Sequence, residues 1–245
     1  MKVLMLNGSP HKEGCTWRAL CEIAKELEKE GIESEILHIG GQQVWGCMGC
    51  GACGTLGKCV HDEDLVNTAV AKMKECDGLI VGSPVHYASA SGAITSFLDR
   101  FFYCGGSAAA HKPGAAIASA RRAGTTATLD QLNKYFTFNQ MPVVSSQYWN
   151  MVHGRSAEET VQDEEGMQIM RTLGRNMAWL LKCIEAGRKA GITVPEAEPE
   201  KKPVKCLSDK ENSAGCGRIF RKPGTVSFEE ADPETTDQKG ICQGK

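Results

Sequence analysis

Four closely spaced cysteines are the side chains in this sequence best suited to chemistry. The motif Cys47-x2-Cys50-x2-Cys53-x5-Cys59 places three thiolates at three-residue intervals, separated by glycines, and a fourth shortly after them. Such thiolates can bind one face of an iron-sulfur cube, and the fourth completes the all-cysteine ligation of a [4Fe-4S] cluster. A zinc site, a redox disulfide and four thiols without metal are the alternatives that the spacing leaves open.

Three loops that follow predicted strands carry residues suited to a phosphorylated ligand. In the first loop, 8–16, Ser9 and Thr16 can donate hydrogen bonds to phosphate oxygens, and two glycines let backbone amides approach closely. The loop lacks the spacing of a Walker A motif and of the Gly-x-Gly-x-x-Gly dinucleotide motif. A plain strand-to-helix turn capped by Thr16 is the alternative interpretation.

The second and third loops have the residues expected around a flat ring. Loop 83–92 places Tyr87 among small polar residues as a wall for a heterocycle, although Tyr87 can equally cover the end of the sheet. Loop 119–126 adds Arg121 and Arg122, which can face a nicotinamide phosphate or the edge of a flavin. A solvated pair of surface cations is the alternative for these arginines.

Alternating strands and helices must position these loops. Short apolar runs predict strands at 2–6, 34–39, 79–81, 115–120 and 142–145. Apolar residues at helical spacing predict helices at 16–30, near 65–73, 94–101 and 129–136, and at 163–190. This order predicts an α/β fold, a doubly wound five-stranded parallel sheet with helices on both faces. Ligands of such sheets bind beyond the carboxyl ends of the strands, where the three loops lie.

The length and composition fit one core domain with an appendage. The chain has 245 residues, 41% of them hydrophobic, and we expect the domain at 1–194 with the cysteine motif in a loop at 46–61. From Pro195 onward proline and charge become frequent, which predicts a largely irregular tail at 195–245. The tail's cysteines lack an accompanying histidine to complete a tetrahedral zinc site; they are Cys206, Cys216 and Cys242.

Charge and hydropathy narrow the range of partners. A formal net charge of −2 argues against broad nucleic-acid binding. No stretch approaches the roughly 18 apolar residues of a membrane helix, and residues 1–10 hold no apolar segment as long as that of a signal peptide. We therefore expect a cytoplasmic protein that binds neither nucleic acid nor a membrane.

The motifs of the first two loops occur in order at the predicted strand ends. They are Gly8-Ser9-Pro10-His11, Gly14-Cys15-Thr16, Gly82-Ser83-Pro84-Val85-His86-Tyr87, Ser89, Ser91-Gly92 and Phe97-Leu98-Asp99-Arg100. Over about residues 1–191 the sequence resembles the NADPH-dependent FMN reductase family of flavodoxin-like proteins. It departs from the family at His11, where the family often has Arg, and at Cys15, where it often has Asn.

The resemblance implies an FMN site at the strand ends. The phosphate is expected at Ser9, His11, Gly14, Cys15 and Thr16, and the ring at Ser83, Pro84, Val85, His86, Tyr87 and Ser89. The third loop is expected to close the site with Ser119, Arg121, Arg122 and Gly124. The resemblance assigns no catalytic residue.

The compact cysteine motif is similar to that of the iron-sulfur flavoprotein branch of this family. That branch carries FMN and a [4Fe-4S] cluster and forms oligomers, so we expect a homo-oligomer, a dimer or a tetramer. FMN exchanges a hydride or single electrons, whereas the cluster exchanges one electron at a time. The resemblance thus implies an oxidoreductase that passes electrons from NAD(P)H or ferredoxin to an acceptor. An NAD(P)H-dependent FMN or quinone reductase without a cluster and a non-enzymatic electron carrier are the alternatives.

Overall fold

The computed structural model describes residues 1–196 and 198, and it is built on one sheet. Five strands pair in parallel in the order β2-β1-β3-β5-β6, and a short strand, β4, pairs antiparallel with β3. The strands are β1 (Lys2–Asn7), β2 (Glu33–His38), β3 (Gly78–His86), β4 (Ser89–Ala90), β5 (Gly114–Ala120) and β6 (Met151–His153). This is the strand order of the flavodoxin-like doubly wound fold, so the predicted fold class is confirmed.

Helices cover both faces of the sheet because its central strands are apolar on both sides. In β1 the residues after Lys2 are all buried, as a strand between two helical layers requires. The helices are α1 (Cys15–Lys29), α2 (Cys53–Leu56), α3 (Val66–Glu75), α4 (Gly92–Ala109), α5 (Thr125–Phe138), α6 (Ala157–Gln162) and α7 (Glu164–Lys189). The five predicted helices correspond to α1, α3, α4, α5 and α7, whereas α2 and α6 were not predicted.

Each face has its own core. Leu20 and Ile23 of α1 pack with Leu173 and Met177 of α7 over one face. The other core joins α3, α4 and α5, with Phe97 and Phe101 of α4 fully buried. The polar loops at the carboxyl ends of the strands therefore rest on a rigid support.

The predicted fifth strand at 142–145 was wrong in position. Val143 makes a single parallel bridge with Gly114, and the chain then leaves the sheet edge and returns at Asn150, whose carbonyl accepts from the Ala118 N–H at 2.9 Å. The true edge strand is β6, which pairs with the second half of β5. Its three residues are too few to show a periodic pattern in the sequence.

The end of the chain limits two further expectations. The predicted tail at 195–245 lies outside the described residues apart from 195, 196 and 198, so the domain boundary at 194 stays a prediction. The tail's three cysteines lie outside the described residues as well. Within the described part, no helix has the length and apolar character needed to cross a membrane.

Candidate functional site

The buried side chain of Asn7 organises the first loop. Asn7 ends β1 and is fully buried; its Nδ2 donates to the Lys12 carbonyl at 3.0 Å, and its Oδ1 accepts from the Ser9 N–H at 3.1 Å. The Ser9 hydroxyl in turn accepts from the His11 N–H at 3.2 Å, which leaves its own hydrogen for a further acceptor. Sequence reasoning missed Asn7, although an amide residue directly after an apolar run was the available signal.

The N-terminus of α1 opens onto this loop. Gly14 is the N-cap, no side chain caps the helix, and the first turn has no acidic residue. The first N–H groups of α1 therefore point outward at the positive end of the helix dipole, where an anion is stabilised. The alternative of a turn capped by Thr16 was wrong, because Thr16 lies inside the helix and its Oγ1 hydrogen-bonds Ser119 Oγ at 2.8 Å.

Ser91, another residue that sequence reasoning did not assign to the site, joins the second loop to the first. Its N–H donates to Ser83 Oγ at 2.9 Å, and its hydroxyl donates to the Gly8 carbonyl at 2.8 Å. The same hydroxyl accepts from the Ile94 N–H and so caps α4. The position of α4 is thereby tied to the ends of both β1 and β3.

The turn between β3 and β4 is strained and exposed. Tyr87 and Ala88 both have left-handed backbones, with φ of 51° and 57°, and the Tyr87 side chain is completely exposed. Tyr87 therefore does not cover the sheet end, and that alternative was wrong. Non-glycine residues in this conformation cost free energy and are concentrated at ligand sites. Ser89 is held differently, because its hydroxyl donates to Gln131 Oε1 of α5 at 2.6 Å.

The third loop packs against this turn through Gly124. Gly124 has φ of +91°, and a Cβ there would lie 2.8 Å from Ala88 Cα and from Val85 Cγ1. Only glycine fits both the backbone and the space. Arg121 and Arg122 are exposed on the same loop.

The predicted FMN residues separate into a buried floor and an exposed rim. Ser9, Thr16, Ser83 and Ser119 are buried. Two hydrogen bonds join the loops: one between Thr16 and Ser119, and one from Ser91 to the Gly8 carbonyl. Gly14, Pro84, Val85, Ser89 and Gly124 are half-buried, and the rim is exposed: His11, His86, Tyr87, Arg121 and Arg122. Cys15 is half-buried and contacts the loop after β6, with its Sγ 3.5 Å from the Gly154 carbonyl oxygen. The structure thus brings the three predicted loops together at one edge of the sheet.

The four motif cysteines line a cavity of about 240 Å³. Cys59 is buried, Cys53 is half-buried, and Cys47 and Cys50 are exposed. The chain turns sharply between them at left-handed Gly49 and Gly51, with φ of 65° and 72°. This donor set of thiols around one cavity fits the chemistry of an iron-sulfur cluster. Among residues 1–196 and 198, no three possible ligand side chains are already grouped closely enough to hold a metal ion.

Helix α4 contributes a fifth thiol to this cavity, Cys104, which was not among the predicted ligands. Burial and the nearby sulfurs of Cys53 and Cys59 raise the pKa of Cys104 to about 12. No sequence pattern indicated Cys104, because it lies 45 residues beyond Cys59 on a different element. The cysteines of the described residues are all free thiols, so the alternative of a redox disulfide in the motif is not seen there.

Asn67 of α3 fixes the end of the cysteine loop. Its Oδ1 accepts from the Cys59 N–H at 2.8 Å, and its Nδ2 donates to the Cys59 carbonyl at 3.0 Å. On the other side, Arg100 of α4 donates from Nε to Cys59 Sγ at 3.2 Å. Cys59 is therefore held from two helices.

These features define a flavodoxin-like protein with two candidate sites. One is an open socket formed by loops 8–16, 83–92 and 119–126 at the carboxyl ends of the strands, and the other is the separate cavity lined by thiols. The family model described as NADPH-dependent FMN reductase matches residues 1–156. The chain belongs to that family, a family of flavodoxin-like FMN-dependent oxidoreductases.

Relatives within the family are named iron-sulfur flavoproteins. One from Methanocaldococcus jannaschii is 32% identical over 193 residues, which cover 76% of this chain and all of that protein. Another, from Methanosarcina thermophila, is 28% identical over 195 residues and covers 77% of this chain and 99% of its own. The predicted resemblance to this branch is confirmed.

Solved structures confirm the fold. A flavodoxin from the domain Archaea superimposes with a TM-score of 0.52 at 15% identity, covering 74% of this chain and 99% of that one. An NADH:FMN oxidoreductase in its apo form superimposes with a TM-score of 0.54 at 18% identity, covering 73% of this chain and 89% of that one. At such low identity these likenesses establish the flavodoxin-like fold alone.

Proposed function

We propose that this protein is an FMN-dependent oxidoreductase that passes electrons between a reduced donor and an acceptor through a [4Fe-4S] cluster. NAD(P)H or ferredoxin is the proposed donor. The observation that carries the proposal is the cavity of about 240 Å³ lined by all four motif cysteines, in a chain whose family relatives are named iron-sulfur flavoproteins. When both cofactors are bound, they supply the conversion between two-electron and one-electron transfer.

The first loop is the proposed phosphate site. The Ser9 hydroxyl and the outward N–H groups at the start of α1 would bind the phosphate oxygens. His11 is exposed on the rim and can approach the same anion. Thr16 would act from the floor, where its bond to Ser119 fixes the distance between the first and third loops.

The turn after β3 is the proposed ring site. Its backbone is held by the contact of Gly124 with Ala88 and Val85, so the ring edge would meet fixed amide and carbonyl groups. Tyr87 and His86 stand exposed beside it and would form a wall. Exposed Arg121 and Arg122 are the proposed contacts of a nicotinamide phosphate or of the flavin edge.

The proposed cluster ligands are Cys47, Cys50, Cys53 and Cys59. Arg100, which contacts Cys59, lies eight residues along α4 from Gly92, or about 12 Å at the helical rise. The cavity is thus set back from the ring site within one chain. A homo-oligomer, which we also propose, would let the exposed side of the motif face a neighbouring subunit's flavin.

Cofactor content of protein purified without oxygen tests the proposal. We expect a visible flavin spectrum, FMN near one per chain, and iron and acid-labile sulfide near four each per chain. FMN without iron and sulfide would favour the reductase that lacks a cluster. Colourless protein that takes up no added FMN would contradict the proposal as a whole.

Anaerobic mixing with electron donors tests the activity. NADPH, NADH and reduced ferredoxin are added separately while the flavin absorbance is followed. Bleaching by a nicotinamide supports a reductase, and bleaching by ferredoxin alone identifies a protein donor. A flavin that both nicotinamides leave oxidised would favour the non-enzymatic carrier, which exchanges electrons only with its redox partners.

A further inference from the structure

Arg100 of α4 is a buried cation that donates hydrogen bonds to the cysteine loop at 46–61 and to residues that flank it. Its side chain is 1% exposed. Nε donates to Cys59 Sγ at 3.2 Å, Nη2 donates to the His61 carbonyl at 2.8 Å, and Nη1 reaches the Trp45 carbonyl at 3.3 Å. The hydrogen bonds to the two backbone carbonyls are explained by a structural role, in which Arg100 holds the loop in place. The bond to a sulfur atom needs a further explanation, because a thiol is a weak acceptor.

Asp64 is the counter-ion of Arg100. Its carboxylate accepts from Nη1, and its side chain is 2% exposed. A guanidinium stays charged in proteins, and here it is paired with the buried carboxylate of Asp64. Arg100 therefore lines the cavity with a positive charge that contacts a motif sulfur. The negative charge of Asp64 is paired with Arg100 and does not line the cavity.

We propose that Arg100 is a positioning residue that raises the reduction potential of the cluster bound at Cys59, and that Asp64 opposes it. This inference rests on the proposed function, since it requires a cluster. Reduction adds one negative charge to the cluster. A buried cation and an N–H donor at a ligand sulfur stabilise the reduced form, whereas a buried carboxylate destabilises it. The reduction potential is thus set by a pair whose two members act in opposite directions.

The test is a redox titration monitored by electron paramagnetic resonance on the full chain, with iron, sulfide and FMN measured on each sample. In Arg100→Gln the ratio of reduced to oxidised cluster, at a fixed solution potential, should fall about tenfold, which is a shift of about −59 mV for one electron. Arg100→Lys keeps a cation but loses the planar donor, so the ratio of reduced to oxidised cluster should fall less in this variant. Asp64→Asn should shift the potential upward. Arg175→Gln, an exposed residue of α7, is the control and should leave it unchanged.

The opposite directions of the potential shifts expected for the Arg100 and Asp64 variants distinguish this inference from a purely structural role. If Arg100 and Asp64 only hold the loop in place, their variants should retain the wild-type reduction potential or shift it in the same direction. Either result overturns the inference. Since Arg100→Gln leaves Asp64 buried without its partner, the double variant is also compared with Asp64→Asn alone. The added Arg100→Gln change should again lower the potential, and no difference between these two proteins overturns the inference. Wild-type protein without iron and sulfide would instead contradict the proposed function itself.

Discussion

Replacing Asn7 tests whether the phosphate loop is preorganised. Asn7→Ala removes two side-chain hydrogen bonds, to the Lys12 carbonyl at 3.0 Å and from the Ser9 N–H at 3.1 Å, in a fully buried position. Each bond contributes about 1 kcal/mol, and up to about 2 kcal/mol when its buried partner is left unpaired. We therefore expect the free energy of unfolding to fall by about 2 to 4 kcal/mol. Urea denaturation of the protein without FMN measures this loss.

The same variant should bind FMN more weakly. Without Asn7 the first loop is no longer held in place before binding, so part of the binding free energy is used to order it. If about 1.4 kcal/mol of ordering is transferred to binding, the FMN dissociation constant rises about tenfold, as measured by quenching of FMN fluorescence. Asn176→Ala is the matched control: it removes one hydrogen bond, to the Ser145 carbonyl at 2.8 Å, away from the socket. Its FMN affinity should equal that of the wild type. An Asn7→Ala protein with wild-type stability and FMN affinity would refute the reasoning.

Three further predictions concern the cysteine cavity, the third loop and a charged cluster. Cys59→Ser should lose iron and sulfide, whereas Cys183→Ser, an exposed thiol on α7, should retain both; equal contents would contradict the assigned ligand. Gly124→Ala should lower stability by about 1 to 2 kcal/mol and weaken FMN binding, because its φ is +91° and its Cβ would lie 2.8 Å from Ala88 Cα. Burial acts to raise the pKa of Glu22, but an arginine of α7 and two neighbouring cations lower it overall from 4.5. Glu22→Gln should therefore be less stable than the wild type at pH 7, and this difference in unfolding free energy should vanish as the pH falls below 4.5 through the lowered pKa. A difference in urea denaturation that does not depend on pH would contradict this.

The sheet was predictable where its strands are buried on both faces. The apolar run from Val3 to Leu6 is too hydrophobic for a surface loop, and the small residues that follow it mark where the strand ends. The edge was not predictable by the same means. Both 142–145 and Met151–His153 lie along β5, and backbone hydrogen bonds, rather than residue type, decide which segment pairs for several residues.

The meeting of the candidate binding loops was predictable where chain order alone defines it. Loops that end neighbouring parallel strands must meet, so Thr16 and Ser119 could be placed together although 103 residues separate them. Cys104 and Arg100 could not be placed in this way. They reach the cysteine cavity through the packing of α4 on a long loop, and neither periodicity nor strand order specifies how such a loop is folded.

Helix α4 relates the two sites physically. At its start, Ser91 bonds Ser83 and the Gly8 carbonyl in the proposed flavin socket. Nine residues later Arg100 bonds Cys59, so about 14 Å of rigid helix separates these contacts. Buried Phe97 and Phe101 fix the helix on the sheet, and it cannot slide without losing that core. If the proposed cofactors bind at these two sites, the fold sets their separation within one subunit, and in the proposed homo-oligomer a second subunit would offer another electron path.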